Sequence, residues 1–397
     1  MKMDKIEMPI PTGTLAGKFA RMHDQLRGEL LERDSEIHGA LIALASGTNC
    51  LFLGEPGVAK SYLLNRLTER ITDVNYFHCL VDNFSGPDAL FGPLDLPTLR
   101  STGAYVRRMD GYLPTAHITN IEECFNANES ILRALHAAIY EHKYNVDGAW
   151  IDIPLNVMFA STNDLPKSSA LRAFRDRLLQ TYYVNNVQEH ANKVEMLKLR
   201  PEPNPEPILS WDEVLEAQAQ VRQIPIPESI YSTMANIARE LDEENIAPSD
   251  RRLVMCTVLL QAEAWLDGAA EVCSDHLTAL IPALWNTPDQ IELVEKVVLE
   301  HANPLEKETL ALLREVDKIA DTIKRGKESP EQDQRDSIGR EAFLLLKRAH
   351  ADFAVIRDQV GGSRRQLGLL QTAQDRMHTQ TGEVLELIDV ERGEAAA

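Results

Sequence analysis

An apolar run, Cys50–Leu53, leads straight into GEPGVAKS at residues 54–61, and a helical pattern starts at about Lys60. Strand, glycine turn and helix in that order are what a phosphate-binding loop requires. The loop comprises Gly54, Glu55, Pro56, Gly57, Val58, Ala59, Lys60 and Ser61. Its glycines let backbone amides turn towards phosphate oxygens, and the helix N-terminus adds its positive dipole end. Lys60 is placed to reach β- and γ-phosphates, and Ser61 to hold Mg²⁺. Ala59 stands where the usual pattern has glycine. On the expectation that this position has ordinary helical φ, the extra methyl group costs little.

A loop of this kind works with acids at the end of another strand, one to position magnesium and one to polarise a water. AHITNIEECF offers Glu122 for the first role and Glu123 for the second, although the usual pair is Asp-Glu and Glu122 is one methylene longer. NVMFASTNDLP is an apolar strand ending in Asn163, a neutral amide suited to holding the attacking water or a γ-phosphate. LRAFRDRLLQTYYV carries Arg172, Arg175 and Arg177, for which solvated charge and an arginine supplied to a neighbouring subunit are the two readings. Further on, Ser249 caps a helix whose first turn holds Arg251 and Arg252. Cations there oppose the helix dipole, which points to a nearby phosphate.

The surrounding pattern supplies the scaffold. Five short β-rich runs, Cys50–Leu53, Tyr76–Leu80, Ile118–Ile121, Val157–Ser161 and Thr181–Val184, alternate with helical segments. That predicts an α/β core with a parallel sheet covered by helices on both faces. Asp110-Gly111 and Asp147-Gly148 each predict a β-hairpin insert. RPEPNPEP at 200–207 breaks the pattern, and an all-α domain follows, opened by a Ser210/Glu213 capping box. After Pro304 an apolar stripe of Leu305, Leu312, Val316, Ile319 and Ile323 begins a run of long helices, with a Ser329-Pro330 cap and a Gly-Gly-Ser break at 361–363. The expected division is a leader helix in 1–34, the core in 35–200, the all-α domain in 201–300 and a helical hairpin or coiled appendage in 301–397. A sealed structural appendage and a partner-docking arm bury such a stripe equally well.

A chain of 397 residues with a formal charge of −20 is large enough for two or three units and repels phosphate backbones, which disfavours nonspecific nucleic-acid binding. Five scattered cysteines without CxxC spacing suggest neither disulfides nor zinc. The opening residues lack a secretory signal and no segment is long and apolar enough to span a membrane, so a cytoplasmic protein is expected.

Taken in order, LLERDSEIHGALIALASGTNCLFLGEPGVAKS, DALFGPLDL, GYLPTAHITNIEE, ASTNDLP, DRLLQ and PSDRRL resemble the AAA+ ATPases, and among them the MoxR family and its RavA-like branch. The resemblance spans about Leu31 to Trp285. It implies an all-α lid after the core, a Walker A loop at Gly54, Gly57, Lys60 and Ser61, and a Walker B pair at Glu122 and Glu123. It makes Asn163 sensor 1, Arg251 sensor 2 and Arg177 the arginine finger with Arg175 in reserve, and puts Ile37 and His38 near adenine. It further implies ATP and Mg²⁺ between subunits of a hexameric ring, chaperone-like remodelling of a protein client, and a partner with a von Willebrand factor A domain. Two other readings stand beside it: a nucleic-acid motor of the minichromosome-maintenance type, and a nucleotide-gated scaffold with weak ATPase activity.

Overall fold

The computed structural model describes residues 13–394 except 147, 166–173, 303, 329–331 and 360–363. Arg172, Asp147, the Ser329-Pro330 cap and the Gly-Gly-Ser break fall outside the described residues, as does the side chain of Leu305. The chain divides into two compact units, one of Ile10–Glu295 and one that takes in Lys296–Ala397.

The first unit is built on a parallel sheet of five strands among the described residues. We number them β1 (Cys50–Leu53), β2 (Tyr76–Leu80), β3 (Ile118–Glu122), β4 (Val157–Thr162) and β5 (Gln180–Tyr183). Their order across the sheet is β2-β3-β4-β1-β5. Two strands, β1 and β4, are buried along their whole length and lie side by side. Burial on both faces is what a helix-covered parallel sheet demands of its inner strands. On one face Leu51, Phe77, Ile121 and Met158 pack with Leu135 and Phe174. On the other, Phe52 lies between Phe159 and Tyr182, with centroids 6.3 and 6.0 Å away.

Three helices before and after β1 carry the loop. They are α1 (Leu15–Glu29), α2 (Asp34–Ser46) and α3 (Lys60–Thr68). α1 is welded to α3 by Glu29, which binds Arg66 at 2.6 and 2.8 Å and Arg70 at 2.6 Å. Burial alone would raise the Glu29 carboxyl, but hydrogen bonds from the two guanidinium groups hold it below its ordinary value. The leader helix is thus built into the phosphate-loop helix.

Of the two expected hairpins, the second forms: Lys143–Val146 pairs antiparallel with Ala149–Asp152. The first does not. Run GAYVRRM turns back to the preceding segment, through a Leu94–Arg107 bridge and hydrogen bonds from Asp95 N to Val106 O and Arg108 N to Pro93 O at 2.8 and 2.9 Å. Beyond Gly111 the chain enters a 3₁₀ turn, Leu113–Thr115, in which Pro114 has no amide to offer a strand partner. Gly111 keeps the positive φ of a tight turn, 80°, without a hairpin around it.

The helices of the all-α region, Trp211–Val221, Glu228–Glu243 and Asp250–Asp267, follow the sequence pattern, and Ser210 and Glu213 make the predicted capping box. The segment from Ser274 runs as a 3₁₀ helix to Leu280 before a short α-turn, Ile281–Leu284.

In the second unit the expected hairpin is a three-helix bundle. Pro304–Glu328, Gln332–Gln359 and Arg364–Glu394 each pack on both others. The predicted stripe of Leu312, Val316, Ile319 and Ile323 lies in its core with Leu346, Phe353, Leu370 and Met377. No helix among the described residues is long and apolar enough to cross a membrane.

Candidate functional site

Parallel strands bring their C-terminal ends to one edge of the sheet, where ligands of such folds collect. The loop after β1, the acids ending β3 and the residue after β4 all sit there. At Gly54 a Cβ would collide with the Val184 carbonyl oxygen just beyond β5, and Gly57 has φ 86° with open space where a side chain would project. Buried Arg33 braces the loop from beneath, with Nε 3.3 Å from Val58 O and Nη2 donating to Asn185 O after β5. No side chain caps the start of α3. The amides of its first turn are therefore open to an anion.

Ala59 departs from expectation. Its backbone has φ 70° and ψ 24°, in the left-handed region, and it is the N-cap of α3 and not its first helical residue. The methyl group is therefore strained, by about 1–2 kcal/mol. The turn that aims the amides inward demands this conformation, and the helix on one side and Gly57 on the other hold alanine in it.

Lys60, Glu123 and Asn163 form a connected group. Lys60 Nζ donates to Gly54 O, to Glu55 O at 2.9 Å and to Asn163 Oδ1 at 3.1 Å. Burial pulls the Lys60 ammonium below its ordinary pKa, against the charges of Glu123 and Glu122. Burial pushes the Glu123 carboxyl up, against the Lys60 charge and a hydrogen bond from the Asn163 amide, while Glu122 and Asp164 add to the rise. Asn163 thus contacts the lysine with its side chain, and its backbone amide bears on the acid. Glu123 also has positive φ, 53°, and accepts from Asn126 Nδ2 at 3.2 Å. Glu122 points instead to His78 on β2, Oε1 to Nε2 at 2.7 Å. Ser61 lies in the first turn of α3.

The arginines separate into two kinds. Arg177 lies just before β5, and Asn49, just before β1, donates to its carbonyl at 3.5 Å. That is the strand-start edge, opposite the loop. Burial, then the charges of Arg177 and Arg251, lowers His136, so these two arginines have a neighbour in common. Arg251 is exposed, while Arg252 is buried and grips Leu179 O at 2.9 Å, Ala283 O at 2.6 Å and Asp176 Oδ1 at 3.2 Å. Arg175, the reserve finger, is buried too, donates to Asn286 O and Trp285 O, and lies 5.5 Å from the Trp285 ring centre. Burial pulls its pKa down to about 10. Arg175 and Arg252 join the helical region to the segment that carries Arg177. Ile37 is in the core, and His38 Nε2 meets Glu263 Oε2 at 2.8 Å across to the helix Asp250–Asp267.

His78, Arg33 and the clamp role of Arg252 escaped sequence reasoning. His78 is a lone histidine in a strand, and only strand pairing puts it beside Glu122. The donor set fits a magnesium nucleotide: a glycine cradle with no room for Cβ at Gly54, a lysine turned into the loop, a hydroxyl on the helix start and hard carboxylate oxygens nearby.

This arrangement of parallel sheet, loop, strand-end acids and helical lid defines a P-loop protein of the AAA+ class. Residues 17–200 match the family described as the MoxR domain in the MoxR-vWA-beta-propeller ternary systems, and residues 229–298 match the AAA lid domain. The uncharacterized protein MJ0079 of Methanocaldococcus jannaschii is 34% identical over 74% of this chain and 77% of its own length. A second protein of that organism, the uncharacterized protein MJ0812, is 33% identical over 77% of this chain and 84% of its own. A crystal structure described as a candidate ATPase from Cytophaga hutchinsonii shares the fold, with a TM-score of 0.61 at 15% identity over 73% of this chain and 95% of that one. The chain belongs to the MoxR family of AAA+ ATPases.

Proposed function

We propose that this protein binds ATP with Mg²⁺ at the Lys60 loop and hydrolyses it at a site completed by a second copy of the chain. The hydrogen bond between Lys60 and Asn163, with Glu123 tied to the same asparagine, carries the reading. Lys60 and the α3 amides hold phosphate oxygens, and Ser61 and Glu122 are the oxygen donors for the ion. Magnesium, when bound, offsets charge on the β- and γ-phosphates. Glu123 draws a proton from water held by Asn163. Ile37 and His38 lie on α2 beside the lid and border the base.

Arg177 supports assembly. Its backbone lies at the strand-start edge, away from its own loop, and a planar cation there would serve the phosphates of a neighbour. Arg251, which bears on the same histidine, would face that neighbour as well. Repeating such a head-to-tail contact builds a ring where the rotation closes, and the resemblance makes that ring hexameric. The motor reading extends to remodelling of a protein client in the cytoplasm, with a von Willebrand factor A domain protein as partner. The family's description in ternary systems with vWA and beta-propeller components supports that partner and adds a beta-propeller protein. The RavA-like assignment rests on the six quoted motif stretches. The test is to purify the protein with what co-purifies, measure ATP binding and phosphate release, and size it with and without ATP and Mg²⁺. No binding, or no phosphate release from any assembly, defeats the proposal.

A further inference from the structure

Glu122 has a partner that a shorter acid would not reach. Strand β2 pairs with β3 so that His78 lies opposite Asn120, two residues before Glu122. Paired residues of parallel strands face the same side, so Tyr76, His78, Asn120 and Glu122 share one face, while Phe77 and Ile121 join the core on the other. Diagonal neighbours in a sheet are about 7–8 Å apart, a gap that two long side chains close. Here they close it at 2.7 Å, Nε2 to Oε1. An ionised carboxylate only accepts, so His78 donates from Nε2.

The imidazole is itself held. It stacks on Tyr76 with centroids 6.4 Å apart and planes 17° from parallel. The Tyr76 hydroxyl donates to Asn65 Oδ1 at 2.9 Å, on α3. Burial pushes the Tyr76 phenol up to about 12, so it keeps its proton. Asn65 is one turn beyond Ser61 on the same helix face. A path of contacts therefore runs from the helix that carries Ser61, through Asn65, Tyr76 and His78, to Glu122.

We propose that His78 is a positioning residue that sets the Glu122 carboxylate for magnesium, making a matched pair of a histidine and an unusually long acid. This rests on the ATP-site reading above. Aspartate at 122 would be shorter by one C–C bond, about 1.5 Å, and would leave the histidine out of hydrogen-bond range. Partners that orient a metal's ligands from behind typically govern metal affinity by about 10- to 100-fold.

The test is binding of a methylanthraniloyl-ATP probe to the full chain, first in EDTA and then across a magnesium titration, in wild type and in His78→Ala, His78→Gln and His78→Asn. Glutamine keeps an N–H at the reach of Nε2, and asparagine keeps the N–H one methylene short. The expected result is unchanged metal-free affinity in all four. Half-maximal magnesium should rise about tenfold or more in His78→Ala and His78→Asn, with recovery in His78→Gln. A magnesium requirement within about twofold of wild type in the alanine and asparagine variants would overturn the proposal, as would equal losses in all three. If wild type itself binds no probe, or binds it without regard to magnesium, the ATP-site reading falls and takes this proposal with it.

Discussion

Lys60 and Asn163 are joined side chain to side chain, Nζ to Oδ1 at 3.1 Å, across the gap between the loop after β1 and the end of β4. The backbone amide of the asparagine also bears on the Glu123 carboxyl, opposing the rise that burial causes. One neutral residue therefore links the lysine proposed to bind phosphate and the acid proposed to activate water.

Lys60→Ala removes the cation from this group without touching the apolar core. ATP affinity should drop by roughly 10- to 100-fold, on the scale of about 1.5–3 kcal/mol for a hydrogen bond to a charged group. The thermal midpoint should stay in place. Calorimetric titration with ATP checks the first and a thermal melt the second, and unchanged affinity would remove the loop from consideration.

Glu123→Gln should retain ATP and slow hydrolysis by roughly 10². Burial raises the Glu123 carboxyl above the ordinary 4.5. The basic form of such a group is lost as pH falls through the raised value, so the acid limb of turnover should lie above pH 4.5. A pH–rate profile of the wild type tests this, and an acid limb at or below that value would assign the base elsewhere.

Ala59→Gly tests the strain at the loop. Alanine at φ 70° is held in a region that glycine enters freely. Relief of about 1–2 kcal/mol of strain outweighs the roughly 0.4–1 kcal/mol that glycine's freedom in the unfolded chain removes. A small net gain in denaturant midpoint is expected. A loss would show that the left-handed conformation is not strained here.

Arg252→Ala breaks the buried clamp between the helical region and residues 175–179. The expected loss is about 3–5 kcal/mol of unfolding free energy. Its neighbour Arg251 is exposed, and Arg251→Ala should stay within about 0.5 kcal/mol of wild type. Equal losses would mean that the two side chains share the work of holding the lid.

Arg177→Ala should bind ATP and hydrolyse it slowly. Mixed with the inactive Lys60→Ala, it should recover activity, because some interfaces then pair an intact loop with an intact arginine. Absence of rescue in mixed assemblies, verified by co-purifying differently tagged subunits, would place Arg177 in a role within its own subunit.

The local grammar of the chain was readable without a structure. All five central strands lie where apolar runs interrupted by helical periodicity put them, because burial on both faces of a parallel sheet leaves its mark on consecutive residues. The Ser210/Glu213 capping box and the Lys60 helix start were likewise spelled out within four residues of themselves. What failed was decided at longer range. The GAYVRRM run has the alternation of a hairpin strand, but its hydrogen bonds go back to residues 93–95. Three tail helices with apolar stripes can close as a hairpin or a bundle, and only their mutual packing chose the bundle.

At the candidate site, the sequence alone determined which residues stand after which strand, and so which of them gather at one edge of a parallel sheet. Tertiary structure decided the rest. It set Ala59 at positive φ, buried Arg252 and exposed Arg251 although both begin the same helix, put Arg177 at the edge away from its own loop, and brought His78 to Glu122. Backbone sign, burial and diagonal contacts depend on strand register and on what packs behind a side chain, and those are properties of pairs of segments far apart in the chain.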